Sequence, residues 1–109
     1  MAFDEALAAR IRGILGVSDE VAEKRMFGGI AFLVNGNMCC GVHDDELILR
    51  LDPGQGEQAL EEPHVRRFDM TGRPMKGWVL IGPAGTAADD DLRSWVETGV
   101  TFARSLPPK

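Results

Sequence analysis

The sequence predicts an α+β fold of two layers, in which helices cover one face of an antiparallel sheet in the order α-βββ-α-ββ-α. Apolar residues recur at helical spacing near both ends of the chain. Short apolar runs separated by turn-forming residues lie between these segments, as in a strand meander. The chain has 109 residues, so we expect a single domain over residues 1–109.

The first helix is predicted to begin after Asp4 and to end at Gly16. Asp4 is a favourable N-cap residue, and glycine is the commonest residue just beyond a helix C-terminus. Between these two positions Leu7, Ile11 and Ile14 recur at helical spacing. This pattern predicts an amphipathic helix with one apolar face.

Three strands joined by tight turns are predicted next. Residues 30–34 form an apolar run that ends at Asn35-Gly36, the strongest short hairpin signal. The returning strand covers residues 38–42. Asp44-Asp45 then turns the chain into a third strand over residues 47–51.

The second half of the chain is predicted to add one short helix, two strands and a long final helix. The short helix covers residues 55–62, because the following proline disfavours helical geometry in the residue before it. Strands are expected over residues 65–70 and 78–81. The final helix begins at Thr86 or Asp89, and acidic residues in its first turn favour the positive end of the helix dipole.

Turn geometry assigns the residues of the meander to two faces. Two-residue turns pair Phe32 with Cys39 and Cys40 with Leu49, and residues paired in this way share a face. The face expected beneath the helices carries Ala31, Leu33, Met38, Cys40, Val42, Leu47, Leu49 and Leu51. The opposite face carries Ile30, Phe32, Val34, Cys39, Ile48 and Arg50.

A homodimer is expected from the apolar character of that opposite face. A half-exposed antiparallel strand normally places polar residues towards water, and here most positions are large and apolar. Pairing with a second copy would cover them, since the commonest homo-oligomer is a dimer with a self-complementary interface. The residues predicted for self-association are Ile30, Phe32, Val34 and Ile48.

Cys39 and Cys40 are neighbours in a predicted strand, where successive side chains point to opposite faces, so no disulfide between them is expected. Cys40 is interpreted as a buried hydrophobic residue, and Cys39 as the more reactive thiol on the outer face. Neither histidine is placed to complete a metal site or to act as a base. The sequence therefore predicts no metal, no cofactor and no catalytic residue.

Gly28-Gly29 admits two interpretations. A glycine-rich loop can hold a phosphate with its backbone amides, but such a loop leads into a helix. This glycine pair leads into a predicted strand, and no Lys-Ser or Lys-Thr comes after it. A bulge or bend at the start of the strand is therefore the preferred interpretation.

Charge and hydropathy argue against strong DNA binding and against insertion into a membrane. The net charge of −5 opposes strong binding of duplex DNA by the chain alone. No apolar run approaches the roughly 20 residues that span a bilayer, and the N-terminal residues lack the uninterrupted apolar stretch of a signal peptide. We expect a cytoplasmic protein without membrane contact.

One basic segment offers an alternative function. Residues 64–76 contain four basic residues against one acidic residue, which would attract an anion. The candidate ligand-binding residues are Arg66, Arg67, Arg73 and Lys76. A small-molecule or anion-binding domain, with an enzyme as one form of it, is therefore the alternative. An ordinary solvated loop explains the same charges.

The run Lys24-Arg25-Met26-Phe27-Gly28-Gly29, the hairpin after it, the Gly77-Trp78 strand and a last helix with Trp95 resemble the N-terminal domain of the TfoX/Sxy family. The resemblance covers nearly the whole chain and is that of a short, stand-alone member. It implies a fold similar to that of secretion chaperones. Its most specific residues, interpreted as structural, are Met26, Phe27, Gly28 and Gly29.

The resemblance also implies a function. Full-length members activate natural competence genes together with the cyclic-AMP receptor protein, and they carry a second, helical domain. No catalytic residues are established for the family. The resemblance thus implies a noncatalytic regulatory or adaptor domain that acts through contacts with a regulatory protein partner.

Overall fold

A computed structural model of the chain describes residues 3–16, 18–26, 28–68 and 76–108, with Met26 described in its backbone alone. Its elements are α1 (Glu5–Leu15), β1 (Val21–Met26), β2 (Gly29–Val34), β3 (Asn37–His43), β4 (Glu46–Arg50), α2 (Pro53–Ala59), β5 (Val65–Arg67), β6 (Trp78–Ile81), α3 (Pro83–Thr86) and α4 (Asp89–Ser105). The strands form one antiparallel sheet in the order β1-β2-β3-β4-β6-β5. This confirms the predicted α+β class. Within the described part of the chain, no helix has the length and apolarity needed to cross a bilayer.

The helices and the sheet form two layers. Side chains of α1, α2 and α4 share one buried cluster with the sheet, and α4 lies across β2, β3 and β4. A smaller cluster occupies the opposite face of the sheet. It contains Ala31, Met38, Ile48, Phe68 and Leu80, with Trp78 packed against it. Both faces of the central strands are therefore buried.

Two elements of the structure were not predicted, β1 and the short α3. Apart from Val21, the helix-facing positions of β1 are charged, which removes the alternation of apolar and polar residues that identifies a strand. Glu23 accepts a hydrogen bond of 2.8 Å from Arg12 of α1. The guanidinium carbon of Arg25 lies 5.4 Å from the centre of the Phe3 ring. These side chains cover the sheet edge with ion pairing and a cation–π contact instead of aliphatic packing.

A β-bulge in β3 changes the predicted register. Leu33 pairs with Met38, as the Asn35-Gly36 turn predicts, but Phe32 then pairs with Cys40 instead of Cys39. Cys39 is therefore the extra residue of the bulge. Beyond it, the predicted pairing of Cys40 with Leu49 across β4 is confirmed.

The bulge makes the predicted faces of β2 wrong. An extra residue in one strand shifts the pairing by one position, and a shift of one position exchanges the two faces. Ile30, Phe32 and Val34 consequently lie in the cluster beneath the helices and are buried. Ala31 and Met38, expected beneath the helices, lie on the other face.

These positions correct the surface predicted for self-association. Ile30, Phe32 and Val34 offer no surface to a second copy, because the chain's own helices cover them. Ile48 does lie on the opposite face, but it is only 1% exposed. The homodimer itself stays a prediction and needs a different surface.

α4 approaches the sheet backbone closely at Gly99. A β carbon at this position would lie 2.7 Å from the carbonyl oxygen of Cys39 and 2.8 Å from Cδ1 of Leu49. On the same side of the helix, Val96 and Ala103 are fully buried. A residue without a side chain therefore lets the helix rest directly on the bulged strand.

Because α4 lies so close to the sheet at Gly99, replacing glycine by alanine should have opposite effects on stability in α4 and in α1. Gly99→Ala should lower the free energy of unfolding by about 1–3 kcal/mol, because the new methyl group meets a backbone oxygen that moves only with the strand. Gly13→Ala in α1 meets nothing within 4 Å, so it should raise stability by up to about 1 kcal/mol through helix propensity. Urea unfolding of both variants measures the difference. Equal stabilisation by the two substitutions would contradict the contact.

Candidate functional site

An open groove lies between α1, α4 and the β1 edge of the sheet. Its volume is about 390 Å³. The groove is lined by Ile14, Leu15, Val21, Val34, Val96, Glu97, Val100, Thr101 and Arg104. Four of these, Ile14, Leu15, Val21 and Val100, are half-buried aliphatic residues at the margin of the core. The groove therefore exposes aliphatic surface at a place where three elements meet.

Local structure holds the two helices that border the groove. The Asp4 carboxylate caps α1 by accepting hydrogen bonds of 2.9 and 3.1 Å from the backbone N–H groups of Ala6 and Leu7. Gly16, with φ of 72°, ends that helix, and its N–H donates to the Arg12 carbonyl. On α4, acidic residues fill the first turn, where they favour the positive end of the helix.

Two ion pairs connect the elements around the groove. Arg12 of α1 donates two hydrogen bonds, of 2.8 and 2.9 Å, to the Glu23 carboxylate of β1. The Arg12 hydrogen bond lowers the pKa of Glu23, and the same bond raises the pKa of Arg12. Arg104 of α4 pairs with Glu20, which directly precedes β1. Exposed pairs of this kind add little stability, but they orient the two helices relative to the edge strand.

A second cleft, of about 560 Å³, lies along a different side of α4. It is lined by Glu62, Pro63, His64, Ala84, Gly85, Asp91, Ser94, Trp95 and Thr98. Apart from Trp95 its side chains are polar or small, whereas six of the nine residues that line the groove are aliphatic. Thr98 lines this cleft and Thr101 lines the groove. Both threonines donate a hydrogen bond to a carbonyl oxygen one turn earlier in α4.

Cys39 and Cys40 form a buried thiol pair at the bulge. Both belong to the cluster beneath the helices, so the prediction that they point to opposite faces is wrong. Their sulfur atoms lie 3.7 Å apart, and the Cys39 thiol lies 3.4 Å from the carbonyl oxygen of Phe32. In the part of the chain that the structure describes, no further His, Cys, Asp or Glu side chain joins the pair in a group that could hold a metal ion.

The two thiols differ in acidity. The hydrogen bond between the two thiols lowers the pKa of Cys39, although burial opposes this effect. The same hydrogen bond and complete burial hold the pKa of Cys40 well above its usual value. Cys39 is therefore the thiol that forms a thiolate first.

The described residues of the family motif lie where β1 turns into β2. Met26 ends β1 and pairs with Gly29, which begins β2. Gly28 lies between them with φ of 73°, a conformation that glycine adopts without steric cost. The predicted bulge or bend is thus a turn between two strands. Phe27 lies outside the described residues.

The side chains of two of the predicted anion-binding residues, Arg66 and Arg67, lie apart from each other in the structure. Arg66 pairs with Glu46, and Arg67 donates a hydrogen bond of 3.1 Å to Glu57. The two arginines are neighbours in β5, so their side chains leave opposite faces of the sheet. Lys76 is exposed, and Arg73 lies outside the described residues. Binding of an anion by this segment stays a prediction.

The sequence did not indicate the groove. Its two strand-side residues, Val21 and Val34, belong to a strand that was not predicted and to a face that was assigned incorrectly. One sequence pattern that could have indicated the groove is present in α4, where Val96 and Val100 are one turn apart beside Gly99. This spacing widens the apolar side of the helix beyond the stripe that the sheet covers.

The difference in acidity predicts an order of reaction for the thiols. Iodoacetamide should modify both thiols more slowly in the folded protein than in the unfolded chain, because both are buried, and it should modify Cys39 before Cys40. Because its pKa is lowered, Cys39 should also reach half of its maximal rate at a lower pH than it does in the unfolded chain. Peptide mass spectrometry of samples quenched at increasing times measures both rates. Faster modification of Cys40 would contradict the assigned roles.

Comparison with protein-family models identifies the family of the chain. The model described as "TfoX N-terminal domain" matches residues 14–103. A search of curated proteins and a search of solved structures each gave no match. The family match runs from the end of α1 to the last turns of α4, and so it includes the bulge, the motif turn and both sides of the groove. The chain therefore belongs to the TfoX N-terminal domain family.

Proposed function

We propose that this chain is a noncatalytic regulatory or adaptor domain that binds a protein partner in the groove between α1 and α4. Membership of the TfoX N-terminal domain family supports a regulatory role, and we propose that competence genes are what the domain helps to regulate. The observation that carries the proposal is the set of half-buried aliphatic side chains that opens into one groove. We propose the cytoplasm as the place of action.

The composition of the groove suits a protein segment. Its aliphatic surface accepts apolar side chains, as when an amphipathic helix places its apolar face in a groove. Thr101, Glu97 and Arg104 add polar groups beside this surface. An apolar centre with a polar rim is the usual composition of a protein–protein interface.

A photo-crosslinking experiment tests the groove with a matched control. The crosslinking residue p-benzoylphenylalanine replaces Thr101 in one variant and Thr98 in the other, and both are irradiated in the native cell. The two positions are both threonines in the same helix with the same type of hydrogen bond. We expect the Thr101 variant to form a covalent product with one regulatory protein, and the Thr98 variant to form none.

A substitution in the groove completes the test. Val100→Asp, combined with the crosslinking residue at Thr101, should reduce the product at least tenfold, because it places a charge among apolar side chains. Circular dichroism checks that the variant is folded. A product with the mass of two copies of this chain would instead identify the groove as a homodimer interface. Equal products at both positions, or none at Thr101, would refute the groove as the binding site.

We also expect the chain alone not to bind duplex DNA strongly. The net charge is −5, and two of its arginines, Arg66 and Arg67, already pair with carboxylates. A gel-shift titration with random duplex at low salt measures this, with a basic DNA-binding protein of similar size as the control. Salt-sensitive binding at submicromolar concentration would contradict the expectation.

A further inference from the structure

We propose that Cys39 and Cys40 are a peroxide-sensitive thiol pair, and that their oxidation to a disulfide changes the position of α4 on the sheet. The chemical step depends only on the thiols and their surroundings. Its consequence for partner binding rests on the proposed function, since α4 forms one side of the groove.

The bulge gives these neighbouring cysteines a geometry that a regular strand does not allow. In a regular strand the two thiols would lie on opposite faces of the sheet. Here both lie in the cluster beneath the helices, with 3.7 Å between the sulfur atoms. To form the bond, the sulfurs have to approach from this distance to about 2.05 Å.

The pairing of β3 with β2 is interrupted at the bulge. Cys39 has no partner residue in the pairing of β3 with β2, where Leu33 pairs with Met38 and Phe32 pairs with Cys40. Neighbouring Cα atoms are about 3.8 Å apart, below the roughly 4.4–6.8 Å of ordinary disulfides. Closing the ring therefore requires the peptide between the two cysteines to move. A strained disulfide of this kind is also readily reduced.

The reaction balances with hydrogen peroxide as the oxidant. The Cys39 thiolate attacks one peroxide oxygen, the O–O bond breaks, and protonation of the departing hydroxide gives water and a sulfenic acid. The Cys40 thiol then attacks the Cys39 sulfur, forming the disulfide and releasing a second water. The hydrogen bond between the two thiols, with a smaller contribution from the charge of Arg104, lowers the pKa of Cys39 and favours the first step.

Movement at the bulge reaches the groove through one contact. The Cys39 carbonyl oxygen lies directly beneath Gly99, where there is no room even for a methyl group. A carbonyl that turns with the peptide therefore displaces α4. Val96 and Val100, on either side of Gly99 in the helix, both line the groove.

Mass spectrometry of the intact wild-type protein tests the chemical step. After treatment with hydrogen peroxide, we expect both thiols to resist alkylation and the mass of the monomer to fall by two hydrogen atoms. Dithiothreitol should restore both thiols. Thiols that stay free under conditions that oxidise the unfolded chain would overturn the proposal, and so would a disulfide that joins two chains.

Dimedone labelling separates the roles of the two cysteines. Cys40→Ala should stop at a sulfenic acid on Cys39, which dimedone traps. In the wild-type protein, dimedone present during a brief peroxide treatment should label Cys39 more than Cys40, because Cys39 ionises first in the intact pair. More label on Cys40 would overturn the assigned roles. The wild-type measurement stands even where a variant does not fold.

Hydrogen exchange tests the consequence independently of any partner. In protein that contains the disulfide, amides of residues 96–104 in α4 should exchange faster, while those of α1 before residue 12 stay unchanged. Unchanged exchange in α4 would overturn the proposed coupling. Failure of the reduced protein to form a Thr101 crosslink would refute the proposed function, whereas the mass and exchange results would still decide this inference.

Discussion

The contact between Gly99 and the bulged strand is the constraint on which the rest of the structure depends. It brings α4 onto the carbonyl of Cys39, so that Val96 and Ala103 enter the core completely. The same contact sets how far α4 stands from the sheet and therefore how wide the groove beside α1 is. The packing of α4, the width of the groove and the surroundings of the thiol pair therefore all depend on Gly99. A change at that position affects all three.

The sequence predicted the turns better than the faces. Asn35-Gly36 adopts positive φ angles of 54° and 83°, as the hairpin signal requires, and the strand pairings next to the turns are those expected. A bulge has no comparable signal in this sequence, because Cys39 is as acceptable in a regular strand as in a bulge. One extra residue was enough to exchange the faces of β2. Correct turn assignments therefore gave a correct fold class and an incorrect outer surface.

The site was harder to predict than the fold, for physical reasons that concern particular residues. The groove lies between elements far apart in sequence, and Val21 enters it from a strand whose helix-facing side is otherwise charged. The glycine pair of the family motif could be interpreted as a phosphate-binding loop, but it lies at a turn between two strands. The basic residues Arg66 and Arg67 predicted a ligand, but each has a carboxylate partner. Local patterns identify turns and charges, whereas a groove is a product of tertiary packing.

The charges of β1 decide which kind of contact this end of the molecule favours. An edge strand exposes unpaired backbone groups, and charged side chains discourage another strand from pairing with it. β1 carries Glu23, Lys24 and Arg25 in succession, and Glu23 is held by Arg12. Addition of a strand to this edge is therefore disfavoured, while the groove beside it stays accessible to apolar side chains. Binding in the groove, as proposed, therefore depends on side chains more than on backbone pairing, and the charged edge does not invite aggregation along the sheet.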